Sequence, residues 1–448
     1  MQGLIGLEVH TYLVTKEKLF CRCKASRERG LKPNINICPI CCGQPGAKPM
    51  APNEEAVKKA VQIGLMLNCS INKKMPWMRK HYTWPDLPKG YQNTLSGAHS
   101  VPLGVNGDFE GIRISSIHLE EDPASWEPSS GQIDYNRSGL PLVEIVTEPD
   151  FHFSEEVSTW LAKLVHALSY LKIVDSNAGV KIDVNVNIPG KTERVEVKNL
   201  NSIESVGKAI EYELERQTRE GSVQETRRFD EFSGKTMSMR SKEKQDDYRF
   251  IADPDLVNLG LNEGFVSSLR ATLPESPAEK LNKLIKKFGI DKKNAEVLAK
   301  NLDIVEFFER VAGEIDGKFA LPWITIELLR VLNWNKISFD KVHIDLEHFV
   351  KLLEMVKEKK ITELQAKEIL NKFIPRSFDP SNAEGKIDNK RELELVVKKI
   401  ISGNSKAVQD YKSGDVKALN FLIGEVMRAT NKRADYKVAR NLIEKQLK

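Results

Sequence analysis

Residues 180–188, VKIDVNVNI, alternate apolar and polar side chains without a break, and few patterns restrict a chain more. A period of two puts Val180, Ile182, Val184, Val186 and Ile188 on one side of an extended strand and Lys181, Asp183, Asn185 and Asn187 on the other, whereas a helix would scatter the same residues around its circumference. Pro189 and Gly190 end the run. Arg194 to Lys198 repeats the device, with Val195 and Val197 inward and Glu196 and Lys198 outward, so a hairpin is expected to gather Asp183, Asn185, Glu196 and Lys198 on one polar face. At the N-terminus Leu7 and Val9 oppose Glu8 and His10. A third run carries Ile112 and Ile114 and leads into the acidic exit IHLEED, residues 117–122. An antiparallel sheet with one face on the core and the other open would therefore display Glu8, His10, Glu120, Asp183, Glu196 and Lys198 together. Singly, each is an ordinary solvated strand residue; their recurrence on several strands points to a face that binds Mg2+. Hard divalent cations take carboxylate oxygens, and phosphoryl transfer uses such ions and lysines to neutralise charge.

A second segment, KHYTWPDLPKGYQ at 80–92, cannot be helix or regular strand because Pro85, Pro88 and Gly90 interrupt it. Lys80 and Lys89 supply point charges suited to phosphate oxygens, Asp86 suits a metal or hydroxyl, and Tyr82 and Gln92 add hydrogen-bonding groups. A solvated surface loop is the plain alternative. Four of the six cysteines fall as Cys21-x-Cys23 and Cys38-x-x-Cys41, with Pro39 and Gly43 around the second pair. Two thiolate pairs on adjacent turns suit a closed, structural zinc site, against the alternative of four reduced thiols.

Length and composition (448 residues, 40% hydrophobic, 29% charged) allow two or three domains with a sizeable core. No apolar run approaches the roughly 20 residues that span a bilayer, and MQGLIGLEVH has no signal-peptide character, so a cytoplasmic protein without membrane contact is expected. Residues 371–448 hold 17 Lys plus Arg against 10 Asp plus Glu, which makes this tail the expected polyanion contact in a chain of net charge +5, although a basic face is often merely solvated. The stretch Ser233-Gly234-Lys235-Thr236 imitates the end of a phosphate-binding loop, but Phe229 stands where its first glycine belongs, and a hairpin turn is expected there. Ser154–Leu171 reads as an amphipathic helix with Ser154 as N-cap, and Gly207–Glu220 as a second. Composition changes after Pro277 from strand-rich to helical, and Pro375, Pro380 and Gly385 set off the basic tail.

Beyond these local readings, the chain resembles the B subunits (GatB) of the tRNA-dependent amidotransferases nearly end to end. The likeness rests on IGLEVH (5–10), ICPICCGQPG (37–46), KHYTWPDLPKGYQ, HLEED (118–122), DYNRSGLPLVEIVTEPD (134–150), EVKNLNS (196–202), QETRRFDE (224–231), SMRSKE (238–243), DYRFIADPDL (247–256) and KALNFLIGEVMRAT (417–430). The resemblance implies an α+β fold: a catalytic domain (1–268) around an antiparallel β-sheet flanked by helices, an all-α helical domain (269–374) and an all-α YqeY-like tail (375–448). It also implies an ATP-dependent carbon–nitrogen ligase that phosphorylates the side-chain carboxylate of Asp or Glu misacylated onto tRNA(Asn) or tRNA(Gln), after which ammonia displaces phosphate. The chain has no amidase signature, so ammonia would come from a glutaminase partner, the amidase or A subunit, with the small C subunit as third component.

Carried over by motif, the resemblance assigns Glu8, His10 and Glu120 to Mg2+, with Glu196 and Lys198 in the catalytic set. ATP or substrate falls to Lys80, Tyr82, Asp86, Lys89, Gln92 and Asp183, structural zinc to the four cysteines, and tRNA to Lys417, Arg428, Lys432 and Arg433. Two segments depart from the family pattern: Ser176–Lys181 lacks the usual pair of glutamates and has Lys181 in place of an arginine, and His81, Thr83 and Trp84 differ from the usual Asn and aromatic residues of the lysine loop. Two other readings remain open here, a non-catalytic tRNA-binding protein with a degenerate metal face and a free-standing carboxylate–amine ligase.

Overall fold

The alternating N-terminal segment becomes the central strand β1 (Leu4–Tyr12), with Ile5, Leu7 and Val9 fully buried on its inner side. The computed structural model describes residues 2–28, 30–97, 99–175, 179–241, 249–387 and 389–447. Ser176 to Ala178 in the first departing segment, and 242–248 where two of the quoted motifs meet, lie outside these residues. The chain divides into two units, residues 1–276 and 277–448.

In the first unit, the short strands β2 (Ser70–Ile71), β3 (Lys74–Met75), β4 (Met78–His81), β5 (Gln92–Thr94) and β6 (Gly104–Phe109) precede β7 (Ile112–Glu121), β8 (Ser125–Glu127), β9 (Gln132–Asp134) and β10 (Pro141–Thr147). They are followed by β11 (Val180–Asn187), β12 (Val195–Leu200), β13 (Glu225–Asp230), β14 (Lys235–Ser241), β15 (Arg249–Ala252) and β16 (Leu259–Gly260). The main sheet runs β14-β13-β12-β11-β1-β10-β7-β5-β4-β15, with β6 also paired to β7 and β2 to β6. Its pairs are antiparallel except β12 with β13, so the sheet is mixed. The reason is local: a helix separates these two strands and returns the chain in the same direction.

Helices α1 (Glu54–Met66), α2 (Ser154–Leu171) and α3 (Ile203–Glu220) bury their apolar stripes in the same core as the sheet, through residues such as Val61, Trp160, Leu164 and Ile210. Ser154 is the first helical residue of α2, not its cap. Phe153 holds the cap position, and the Glu156 carboxylate accepts from the backbone N–H groups of His152 (2.8 Å) and Phe153 (3.2 Å). Helix α3 begins four residues before the expected Gly207, because Ser202 accepts from the Ser205 N–H at 3.0 Å and so starts it at Ile203. Ser233 and Gly234 lie in the hairpin turn between β13 and β14, closed by Gly234 N–H on Asp230 C=O at 2.9 Å, and Lys235 and Thr236 begin β14.

The second unit is helical among its described residues. Its C-terminal part packs Leu393, Val397, Leu422, Ile423, Val426 and Ile443 into a core of their own. No helix among the described residues is long and apolar enough to cross a membrane.

Candidate active site on the open face of the sheet

Register decides which polar residues of the sheet meet. Glu8 on β1 faces Asp183 on β11, and His10 faces Glu144 on β10 and Lys181 on β11. Glu144 in turn faces His118 on β7, while Glu120 on β7 faces Leu142 on β10 and Thr94 on β5. Because the side-chain period of a strand is two, the core set on β1 leaves Glu8, His10 and Tyr12 together on the opposite face.

Two separate ligand clusters result. His10, Glu120 and Glu144 offer ligand atoms that all lie within 4.8 Å of one another, and so do Glu8, Asp183 and Glu196. The set expected from sequence, Glu8 with His10 and Glu120, is thus split between neighbouring clusters, and Glu144 completes the first. Glu144 lies inside a quoted motif yet drew no assignment. Its signal was present in LPLVEIVT, where it is the one charged residue of an otherwise apolar strand.

The first cluster is electrostatically unfinished. Glu120 is 4% exposed, and its Oε2 is buried without a hydrogen-bond partner among the described residues. Burial, reinforced by the negative charge of Glu144, pushes the Glu120 carboxyl up to about 7. Burial acts on Glu144 too, but the nearby His10, His118 and Lys80 outweigh it and hold that carboxyl below its usual range. The His10 Nε2 stands 3.9 Å from Glu144. His118 is fixed from both sides: its Nδ1 meets the Leu95 carbonyl at 3.0 Å and its Nε2 the Ser116 hydroxyl at 2.8 Å. A carbonyl only accepts, so Nδ1 carries the proton. An orphaned buried carboxylate oxygen costs about 1–3 kcal/mol or more, which a cation bound between these groups would offset.

The second cluster is closed by its own lysine. Lys198 Nζ lies 3.0 Å from both Asp183 Oδ2 and Glu196 Oε1. Asn185 Nδ2 donates to Glu8 Oε1 at 3.1 Å, and Thr226 Oγ1 to Glu196 Oε2 at 3.1 Å. Burial raises the Glu8 carboxyl, with Glu144 and Glu196 adding to the effect, whereas the two acceptors of Lys198 overcome burial and keep its ammonium charged.

The segment 80–92, expected to hold no regular strand, is loop only between its ends, because Lys80 and His81 close β4 and Gln92 opens β5, and it is used in two ways. Lys80, on β4 opposite Gln92, brings its charge to both Glu120 and Glu144. Tyr82 is half-buried at the start of the loop. Lys89 instead ion-pairs with Glu121 and donates to Asn93 Oδ1 at 2.9 Å, and Gln92 Nε2 donates to the Glu121 carbonyl at 2.8 Å. These two sequence candidates therefore brace the loop against β7. Asp86 is half-buried, its Oδ1 has no hydrogen-bond partner among the described residues, and burial raises its carboxyl. Arg79, next to Lys80, bridges Asp253 and Asp255 at 2.7–3.1 Å.

The cysteines converge as their spacing indicated. The sulfurs of Cys21, Cys23, Cys38 and Cys41 lie within 4.8 Å of one another, with Cys41 at 4.0 Å from Cys23 and 3.9 Å from Cys38. Zinc–sulfur bonds of about 2.3 Å in a tetrahedron place sulfurs about 3.8 Å apart, so the set fits zinc with little movement. Hydrogen bonding from Cys21, helped by the Cys38 N–H at 3.2 Å and by Lys18, holds the Cys41 thiol below its usual range.

In the second unit, three of the four basic candidates are engaged within the chain. Lys432 ion-pairs with Glu368, Arg433 with Glu384 (2.8 Å) and Arg428 with Glu425 (2.6 Å). Lys417 is exposed.

An acidic, lysine-flanked cluster on the open face of a large mixed sheet, followed by a helical unit, defines the class: residues 3–267 match the family described as the GatB/GatE catalytic domain, and residues 306–447 the GatB domain. The chain belongs to the B-subunit family of the aspartyl/glutamyl-tRNA(Asn/Gln) amidotransferases. It is 42% identical to the B subunit of Methanothermobacter thermautotrophicus over 453 residues, covering 99% of both chains. The Methanopyrus kandleri protein of the same name is 41% identical over 459 residues, covering 99% of this chain and 98% of its own. The Methanocaldococcus jannaschii protein is 41% identical over 464 residues, covering 99% and 97%.

Proposed function

We propose that this chain uses ATP and Mg2+ to activate the side-chain carboxylate of Asp or Glu carried on tRNA(Asn) or tRNA(Gln), as the kinase and amidating component of an amidotransferase completed by an amidase (A) subunit and a small (C) subunit. A carboxylate resists amine attack because its leaving group would be oxide. Phosphorylation converts that oxygen to phosphate, and ammonia then displaces it.

The observation that carries this reading is the buried, unpartnered Oε2 of Glu120, held within reach of His10 and Glu144 under the charge of Lys80. His10, Glu120 and Glu144 would hold Mg2+, which would supply charge neutralisation for the transferred phosphoryl group. Lys80 orients negative oxygens toward that cluster. Lys198 keeps Asp183, Glu196 and Glu8 assembled beside it, and the sheet excludes water from below. Both carboxylate clusters are complete, which supports catalysis over the reading of a degenerate, purely tRNA-binding protein. The four cysteines would hold structural zinc.

The test is amide formation on Asp-tRNA(Asn) and Glu-tRNA(Gln) by the assembled amidotransferase with Glu120→Gln. Loss of amidation with tRNA affinity retained is expected. Full activity of that variant would overturn the assignment of the site.

A further inference from the structure

Tyr12 continues the line of Glu8 and His10 along β1, and the groups around it form a cationic nest that the metal clusters do not use. The Arg27 guanidinium carbon lies over the Tyr12 ring, 3.6 Å from its centroid, and the Lys181 ammonium is 5.8 Å from the same centroid. The Tyr12 hydroxyl donates to Asp122 Oδ2 at 3.0 Å. That carboxylate also faces Arg137 at 3.2 Å and Arg27 at 3.8 Å, so one acid answers two guanidiniums. Of the other acids nearby, Asp183 is bonded to Lys198, and Asp175 lines the cavity beside Arg27. One further observation bears on the same balance. Among the described residues, Arg27 Nη1 is buried with no hydrogen-bond partner.

The nest borders a cavity of about 280 Å³ whose lining includes Tyr12, Thr15, Arg27, Leu140, Pro141 and Asp175. It also adjoins the candidate metal cluster directly, because Lys181 is the cross-strand partner of His10. Paired residues of antiparallel strands have Cα atoms only about 4.5–5.5 Å apart.

We propose that Arg27 and Lys181 form a phosphate subsite beside the His10 cluster, which takes a phosphoryl or phosphodiester group of a ligand that reaches the metal. This rests on the function proposed above. The chemistry is that of a fork-shaped guanidinium and a point-charge ammonium on phosphate oxygens, with the Tyr12 ring keeping the fork planar to its ligand. Two sources share that chemistry, the triphosphate of ATP and the phosphodiesters at the acceptor end of the aminoacyl-tRNA.

The experiment uses the assembled amidotransferase with Arg27→Gln, Lys181→Gln and Lys181→Arg, and Lys163→Gln on the surface of α2 as control. Equilibrium binding of Mg·ATP without tRNA and the KM for Asp-tRNA(Asn) are both measured. Loss of one charge-assisted contact should weaken one of them about tenfold in each Gln variant, while Lys181→Arg and Lys163→Gln stay near the parent value. A rise confined to ATP identifies the nucleotide as the source of the phosphate, and one confined to tRNA identifies the acceptor end. Folded Gln variants with both affinities unchanged would overturn the subsite. If Glu120→Gln still abolished amidation in that case, the proposed function would stand without it.

Discussion

Gly43, in the turn after the second cysteine pair, and Pro88, in the lysine loop, meet backbone to backbone. A Cβ on Gly43 would overlap the Pro88 carbonyl, and Gly43 itself sits at φ +66°, where a side chain is strained even in open space. The cysteine turn thus forms a floor for the loop that carries Lys80 and Lys89. Around it, the Ser138 hydroxyl donates to the Cys41 carbonyl at 2.8 Å and ties the turn to the segment before β10.

Gly43→Ala should therefore act at a distance. The added methyl must push the Pro88–Lys89 peptide away, costing about 1–3 kcal/mol of stability and loosening the Lys89 pair with Glu121. A thermal midpoint equal to that of the parent would show that the contact is slack.

Zinc should load at one ion per chain by elemental analysis, and Cys38→Ser should lose it. Because the thiolates draw four separate backbone positions together, metal loss should lower the thermal midpoint and expose the lysine loop to protease. A parent protein that contains no zinc after purification without chelator, and gains no stability on adding it, would remove the site.

Asp253 gives a pH-dependent contribution with a definite sign. Burial alone would raise its carboxyl, but the bonds from Arg79, the Asp255 N–H and Asn93 hold it below the usual range. A depressed folded value means the stabilisation is complete above about pH 4, where the unfolded chain's aspartate titrates, and is lost as pH falls through the folded value. Arg79→Met should cost about 3 kcal/mol at neutral pH, since it leaves a buried carboxylate unpaired, and this deficit should shrink in acid. Urea titrations of parent and variant at pH 7 and pH 3 measure both; an equal gap at the two values would contradict the linkage.

Glu144→Gln should behave like Glu120→Gln. Either change leaves the fold's core untouched but removes one anionic ligand from a three-group cluster, so amidation should fall by two orders of magnitude or more, with tRNA affinity within about twofold. Isothermal titration with Mg2+ and ATP should show the same loss. If Glu144→Gln keeps full activity while Glu120→Gln does not, Glu144 is only a neighbour of the site.

The polar faces were legible in sequence because a period of two fixes which residues share a side, and Asp183, Glu196 and Lys198 met as expected. What alternation cannot supply is the order of strands. Glu8 and His10 share a face, yet β11 lies on one side of β1 and β10 on the other, so the expected trio separated and Glu144 entered from β10. Lys89 was read as a phosphate ligand from its proline-rich loop; only the fold reveals Glu121 waiting for it on β7. The parallel pairing of β12 with β13 also escaped, since it depends on where α3 delivers the chain.

The basic tail offers a test that separates phosphate contacts from structural ion pairs. Lys432 and Arg433 are held by Glu368 and Glu384, so their charges are already answered within the chain, whereas Lys417 is exposed at the start of the helix Val416–Ala429. A lysine that neutralises a phosphate releases a counterion, and its loss reduces the slope of log affinity against log salt by about one. Lys417→Gln should therefore flatten the salt dependence of tRNA binding without changing stability. Lys432→Gln should do the reverse, lowering the thermal midpoint slightly and leaving the slope intact. A salt slope that responds to Lys432 and not to Lys417 would show that tRNA breaks the pair with Glu368 on binding, and would move the tRNA contact to the other end of that helix.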